Sequence, residues 1–189
     1  MVLAFHKPFD VLCQFTPDQP GQATLAQFGF PAGVYPVGRL DMDSEGLLLL
    51  SDEEGFNHRL LNPKFAHSRT YLAQVEGMLT ESAIAKIAAG GIEIQGHRTR
   101  TCVASLLDDE PFVHHRNPPI RARKAIPTSW LEISLTEGKN RQVRRTTAAV
   151  GFPTLRLIRT RIGEFSAPDL LPGTWFEMKS QDIRKLWEA

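Results

Sequence analysis

The sequence predicts an α+β fold built on a mainly antiparallel sheet, and three observations carry that expectation. Short apolar segments recur along the chain, either continuous as at 47–50 or alternating as at 130–136, which is how strands of different burial read. Helical periodicity is confined to a few brief stretches between them. The two kinds of element follow one another without the regular strand–helix alternation that a parallel sheet requires.

In chain order, residues 2–15 mix β-formers with the dipeptide Lys7-Pro8, and a turn-rich loop follows at 16–22. Residues 34–40 read as extended, with Pro36 placing them at an edge. After the leucine run, Ser51 and Glu54 form a capping-box signature for a helix carrying Phe56, Leu60 and Leu61. Residues 71–75 alternate as a half-buried strand with Tyr71, Ala73 and Val75 on one face. Thr80 caps a helix bearing Ile84, Ile87 and Ala88, which Gly90-Gly91 stops. Strands are expected at 92–94 and 101–107, and a long basic, Pro-rich loop at about 108–129, a length that is often functional. The strand at 130–136 turns Leu131, Ile133 and Leu135 to the core. Asn140 is the expected cap of a short helix that runs to Val150 and stops at Gly151. Arg141, Arg144 and Arg145 fall on one side of that helix, and Arg156, Arg159 and Arg161 follow on a strand.

A chain of 189 residues, 42% hydrophobic and 23% charged, is long enough for one domain with a core of useful size, so global disorder is excluded. No internal repeat or Gly/Ser linker divides it, and residues 1–189 are expected to form a single domain. Cys13 and Cys102 are too few for a disulfide framework or a four-cysteine zinc site. Lys7 and Pro8 break the N-terminal stretch before a signal-peptide core develops, and no apolar run approaches a membrane span. A cytoplasmic protein without membrane contact is expected, and nothing suggests an obligate interface, so a monomer is too.

The formal net charge of +1 hides a segregation. Residues 116–161 carry +9, contributed by residues such as Arg116, Arg121, Arg123 and Lys124 with the arginines named above, and the remainder carries −8. Such a segment is either a solvated basic face or a polyanion footprint in which Arg and Lys meet phosphates.

Three motifs mislead. Asp41-Met-Asp43-Ser-Glu45-Gly46 resembles the opening of a calcium loop, but leucines stand where later ligands belong and the preceding segment is β-like. Gly138-Lys139 is no phosphate loop, because Ile133 and Asn140 occupy its defining positions. His114-His115 has no acidic or thiolate partner at ligand spacing, so no metal is expected.

The informative segment is Gly38-Arg39-Leu40-Asp41-Met42-Asp43-Ser44-Glu45-Gly46, followed by four leucines. An acid in a glycine-bounded loop ahead of a buried strand is rigidly held yet accessible. Read from the residues alone, it is either a turn aspartate or a carboxylate for glycosidic chemistry.

This segment resembles the GRLD motif of the RsuA-type pseudouridine synthases. Arg69-Thr70-Tyr71-Leu72 is similar to that family's K/R-x-Y segment, and 137–145, beginning Glu137-Gly138-Lys139, to its EGK-x-x-QV-(K/R)-R segment. The pattern at 157–163 and 170–173 is similar as well, and 116–130 looks like the RluE subfamily, which acts on 23S ribosomal RNA. The resemblance implies a pseudouridine synthase catalytic fold with a basic RNA-binding cleft. It implies an enzyme that breaks the N-glycosidic bond of a chosen uridine, turns the uracil and rejoins it through carbon. Asp41 is then the catalytic carboxylate, whether it attacks sugar or base or opens a glycal route by taking a proton. Tyr71 stacks on the uracil and can serve in proton transfer at C5, and Arg144 pairs with the carboxylate. Arg39 enters the RNA stack as the target base is flipped out, and Leu157 packs beneath the uracil. Lys139, Arg141 and Arg145 contact phosphates. All atoms are conserved and no redox change occurs, so no cofactor is expected. The partner implied is 23S rRNA or a large-subunit assembly intermediate. Many members carry a separate S4 domain for RNA binding, and none is expected in this chain. Two other classes stay open: a non-catalytic rRNA-binding or assembly protein, and a small retaining glycosidase.

Overall fold

The computed structural model describes residues 1–62, 64–120 and 126–188. Arg121, Arg123 and Lys124 of the basic segment therefore lie outside the described residues. In chain order the elements are β1 (Val2–Lys7), β2 (Val11–Leu12), β3 (Ala23–Thr24), a 3-10 turn at Leu25–Phe28, β4 (Tyr35–Val37), β5 (Glu45–Ser51) and α1 (Phe56–Leu61). Next come β6 (Arg69–Glu76), α2 (Glu81–Ala89), β7 (Glu93–Ile94), β8 (His97–Arg98), β9 (Val103–Leu107), β10 (Thr128–Leu135), α3 (Gln142–Ala149) and β11 (Thr154–Ile162). The chain closes with β12 (Phe165–Ser166), β13 (Trp175–Glu177) and α4 (Ser180–Lys185). The class is α+β as expected. Pairing is mostly antiparallel, and parallel where β11 meets β5 and β2 meets β3.

Two compact units divide these elements. The first holds Met1–His67 and the chain from Ile158 onward; the second holds Ser68–Leu157. In the first, β5 lies between β1 on one side and β4 and β11 on the other. The leucine run is unbroken because both faces of β5 are covered. Leu47 and Leu49 join Val2, Ala4, Phe56 and Ile162 in one core cluster. Leu3 and Phe5 belong to the alternate set of β1 and are fully buried. Phe5 packs on Phe28 and Phe30 at ring separations of 4.9 and 5.0 Å.

In the second unit β6 and β10 form an antiparallel ladder from Thr128↔Glu76 to Leu135↔Arg69, flanked by β11 and β9. Ala73, Val75, Leu131, Ile133 and Leu135 build its core with Ala83 and Ile87 of α2. The Thr80 hydroxyl caps α2 by accepting from Ala83 N at 3.2 Å, and Gly90 ends it, as the sequence indicates.

Several expectations are corrected. Ser51 does not cap a helix: it is the last residue of β5, in register with Val2 and Tyr35, and its hydroxyl accepts from Glu53 N at 3.0 Å. Gly55 precedes α1 instead, without a side-chain cap. Asn140 is not the cap of α3 either. Arg141, in the left-handed region at φ 51°, holds that position, and Asn140 accepts from Arg145. The loop at 108–129 ends early, because Thr128 and Ser129 already pair with β6. Arg156 and Arg159 are 7% and 4% exposed and do not belong to a cationic surface. Arg156 donates to His114 O at 2.7 Å, and Arg159 Nε to Leu47 O at 2.7 Å.

Candidate active site

The loop that carries Asp41 is fixed from three directions within the first unit. At its start Gly38 N donates to Asn57 Oδ1 of α1 at 3.2 Å. In its middle Met42 O accepts from Asp10 N at 2.9 Å and from Lys7 Nζ at 3.2 Å. Ser44 N closes a turn onto Asp41 O at 3.0 Å, and the chain then enters β5 at Glu45. Leu40 and Ser44 are buried on either side, whereas Asp41 is half-buried and Arg39 exposed. Backbone bonds thus hold the loop while the Arg39 and Asp41 side chains retain access to solvent.

Lys7 is the residue that sequence reasoning missed here. It reads as a charged interruption of a strand, yet it is fully buried and donates to Pro8 O at 2.9 Å, Val11 O at 2.8 Å and Met42 O at 3.2 Å. All three ammonium protons are used, so one side chain ties the 8–11 turn to the Asp41 loop. Burial lowers its pKa from 10.5 to about 8, against the opposing pull of Cys13, Glu45, Asp43 and Asp10. Between pH 8 and 10.5 the unfolded chain holds this proton and the folded chain does not, so this group makes stability rise with pH across that window. Urea unfolding of wild type and Lys7→Met at pH 7 and pH 10 should show the wild type gaining relative to the variant by up to about 1.4 kcal/mol per pH unit. A difference that stays constant over that range would count against a buried, titrating Lys7.

In the second unit, Tyr71 sits on β6 opposite Ile133 and is half-buried against the core cluster that contains Val143 and Leu157. The structure therefore brings Tyr71 and Leu157 to one cluster, at the helix that also carries Arg144. Leu157 is 5% exposed. Arg144 Nη1 donates to Thr154 O at 3.2 Å, fixing the base of the guanidinium against the start of β11.

The segment before α3 forms an arch. Gln142, buried, accepts from Lys139 N at 3.0 Å and donates to Glu137 at 2.6 Å. Lys139 and Asn140 stand out to solvent, with Arg141 and Arg145 half-buried beside them. Glu137 also accepts from His97 Nε2 at 2.9 Å and Arg100 N at 2.8 Å. Burial pushes its pKa up, but the bonds from Arg100, His97 and Gln142 outweigh that and hold the carboxyl below the usual glutamate range. The sequence shows Glu137 only as a letter of a motif. Its partners 37 and 40 residues away are visible only in the fold.

A carboxylate on a pinned loop ahead of a buried strand, with a separate braced set of exposed and half-buried cations, is the equipment of an enzyme that works on a polyanion. An RNA pseudouridylate synthase model matches residues 1–149, and the chain belongs to that family. Over 176 residues it is 46% identical to ribosomal large subunit pseudouridine synthase E of Xanthomonas campestris pv. campestris, covering 93% of this chain and 94% of that protein. It is 45% identical to the protein of the same name from Vibrio vulnificus, over 94% of this chain and 74% of that one. A crystal structure of a pseudouridylate synthase aligns with a TM-score of 0.80 at 26% identity, over 98% of this chain and 73% of that chain. The resemblance to RluE-type enzymes read from the sequence is borne out. Among the described residues no helix is long and apolar enough to cross a membrane.

Proposed function

We propose that this enzyme converts one uridine of 23S ribosomal RNA to pseudouridine. What carries the reading is the 46% identity to a ribosomal large subunit pseudouridine synthase over nearly the whole of both chains, together with the fixed loop that holds Asp41 half-exposed. The reaction breaks the bond from N1 to the sugar, turns the base and joins C5 to the same sugar carbon; the proton lost from C5 is balanced by one gained at N1. Attack on the sugar, attack on the base and proton abstraction toward a glycal each need a carboxylate at position 41.

In this reading Arg144 pairs with Asp41, Tyr71 stacks on the uracil and assists proton transfer at C5, and Leu157 supports the base from below. Arg39, exposed at the start of the loop, fills the gap left by the flipped nucleotide. Lys139, Arg141 and Arg145 contact phosphates, and catalysis and RNA recognition share this one chain. Nothing in the atom balance calls for a cofactor. The protein works as a cytoplasmic monomer, on free rRNA or an assembly intermediate.

The test is to incubate 23S rRNA lacking the modification with the protein and to map pseudouridine by carbodiimide-dependent primer-extension stops. One major new stop is expected. Tight binding without any new stop would instead identify a non-catalytic assembly protein.

A further inference from the structure

The exposed cations of the second unit extend beyond the segment that the sequence singles out. β7 and β8 form a hairpin in which Arg98 lies opposite Glu93, and Arg100 follows two residues later. Both arginines are exposed, Arg100 by 58% of its side chain. The Arg98 side chain makes no hydrogen bond or ion pair among the described residues, and Arg100 Nε stands 4.0 Å from Glu137.

This hairpin shares its anchor with the cationic arch. The Glu137 carboxylate, 8% exposed, holds His97 of β8, the backbone of Arg100 and Gln142 of α3 at once. Gln142 in turn holds Lys139 N. Burying a carboxylate is costly unless its lone pairs are occupied, and here the occupying donors come from the two segments that carry the exposed Arg98 and Arg100 on one side and the exposed Lys139 and half-buried Arg141 on the other. The structure therefore fixes one set of cations relative to the other. Guanidinium groups suit phosphate oxygens in geometry as well as charge.

We infer that the β7–β8 hairpin is a second contact element for the phosphate backbone of the substrate RNA, reaching it through Arg98 and Arg100 and held in register with Lys139 and Arg141 by Glu137. The inference rests on the reading of an RNA substrate given above. Glu137 acts here as a positioning residue and touches no substrate.

The experiment is a filter-binding salt titration with unmodified 23S rRNA, comparing wild type, R98A/R100A and R98K/R100K. Each lost phosphate contact lowers the slope of log K against log salt by about 0.7 to 0.9, so the alanine pair is expected to flatten it by roughly 1.4 to 1.8. The lysine pair keeps the charge and should restore the slope. Because both side chains are exposed and Glu137 binds the backbone of Arg100, the urea midpoint of the alanine pair should match wild type. Glu137→Gln keeps the size of the side chain but loses one carboxylate oxygen, and should flatten the slope while raising KM. An R98A/R100A slope equal to wild type overturns the proposal, as does failure of the lysine pair to restore a flattened one. The slope is read from binding alone and stays decisive whether or not the RNA is converted. A wild type that binds but converts no uridine refutes the proposed isomerisation and leaves the RNA contact standing.

Discussion

Asp41→Asn is expected to abolish the carbodiimide-dependent stop in 23S rRNA while leaving the protein folded and bound to RNA. The amide is nearly the same size as the carboxylate, and the backbone bonds of the loop are kept: Ser44 N bonds to the backbone oxygen of Asp41, and Lys7 and Asp10 bond to that of Met42. What disappears is the anionic oxygen, which is nucleophile or base in each route to the product. A loss of at least about 10³-fold in single-turnover rate follows, equivalent to about 4 kcal/mol of barrier. Binding of the same RNA should change by less than a few-fold, because the exposed cations of the second unit are untouched. Equal conversion by both proteins would sink the assignment of Asp41. A retaining glycosidase would instead require a second carboxylate about 5 Å from the first, and replacing that second acid would then be as damaging as replacing Asp41.

The part of the fold that is legible in the sequence is the part that depends on local pattern. The leucine run marks β5, the alternation at 130–136 marks β10, and Thr80 with Gly90-Gly91 marks both ends of α2. The acid loop stands out because two glycines and a buried strand bound it. What stays hidden depends on partners distant in sequence. Lys7 looks like a surface charge until three carbonyls gather around it. Arg156 and Arg159 add to a basic segment by count, yet β11 buries both and their guanidinium groups serve backbone oxygens. Ser51 and Asn140 have the right chemistry for helix caps, but strand pairing takes the first and the Arg145 guanidinium takes the second. Local propensity is a weak prior wherever tertiary pairing offers the same group another bond.

The largest effect on stability is expected from Gly46→Ala. Gly46 stands at φ 96°, directly opposite Arg159 in the parallel pairing of β5 with β11. A Cβ there would lie 2.9 Å from Arg159 N and 2.9 Å from Ile158 Cγ2, and closer still to Arg159 O. Two of these three are backbone atoms, and they cannot recede. Arg159 Nε is bonded to Leu47 O one residue along β5, with the side chain 4% exposed, so moving β11 away would also break a buried charge-assisted bond. The variant is therefore expected to lose about 3 to 5 kcal/mol, by steric overlap added to the strain of a positive φ. Gly55→Ala isolates the second of these effects, because Gly55 has φ 77° but nothing within 4 Å of its added Cβ. It should cost only about 1 kcal/mol. Urea unfolding of both variants beside wild type separates contact from conformation, and equal losses at the two positions would show that the close approach of β5 and β11 contributes nothing. Gly46 is the second residue of the strand that follows the Asp41 loop, so the displaced strand should reach the chemistry. In dilute buffer at low temperature, on whatever fraction remains folded, Gly46→Ala should convert 23S rRNA more slowly than Gly55→Ala by a factor larger than the difference in folded population.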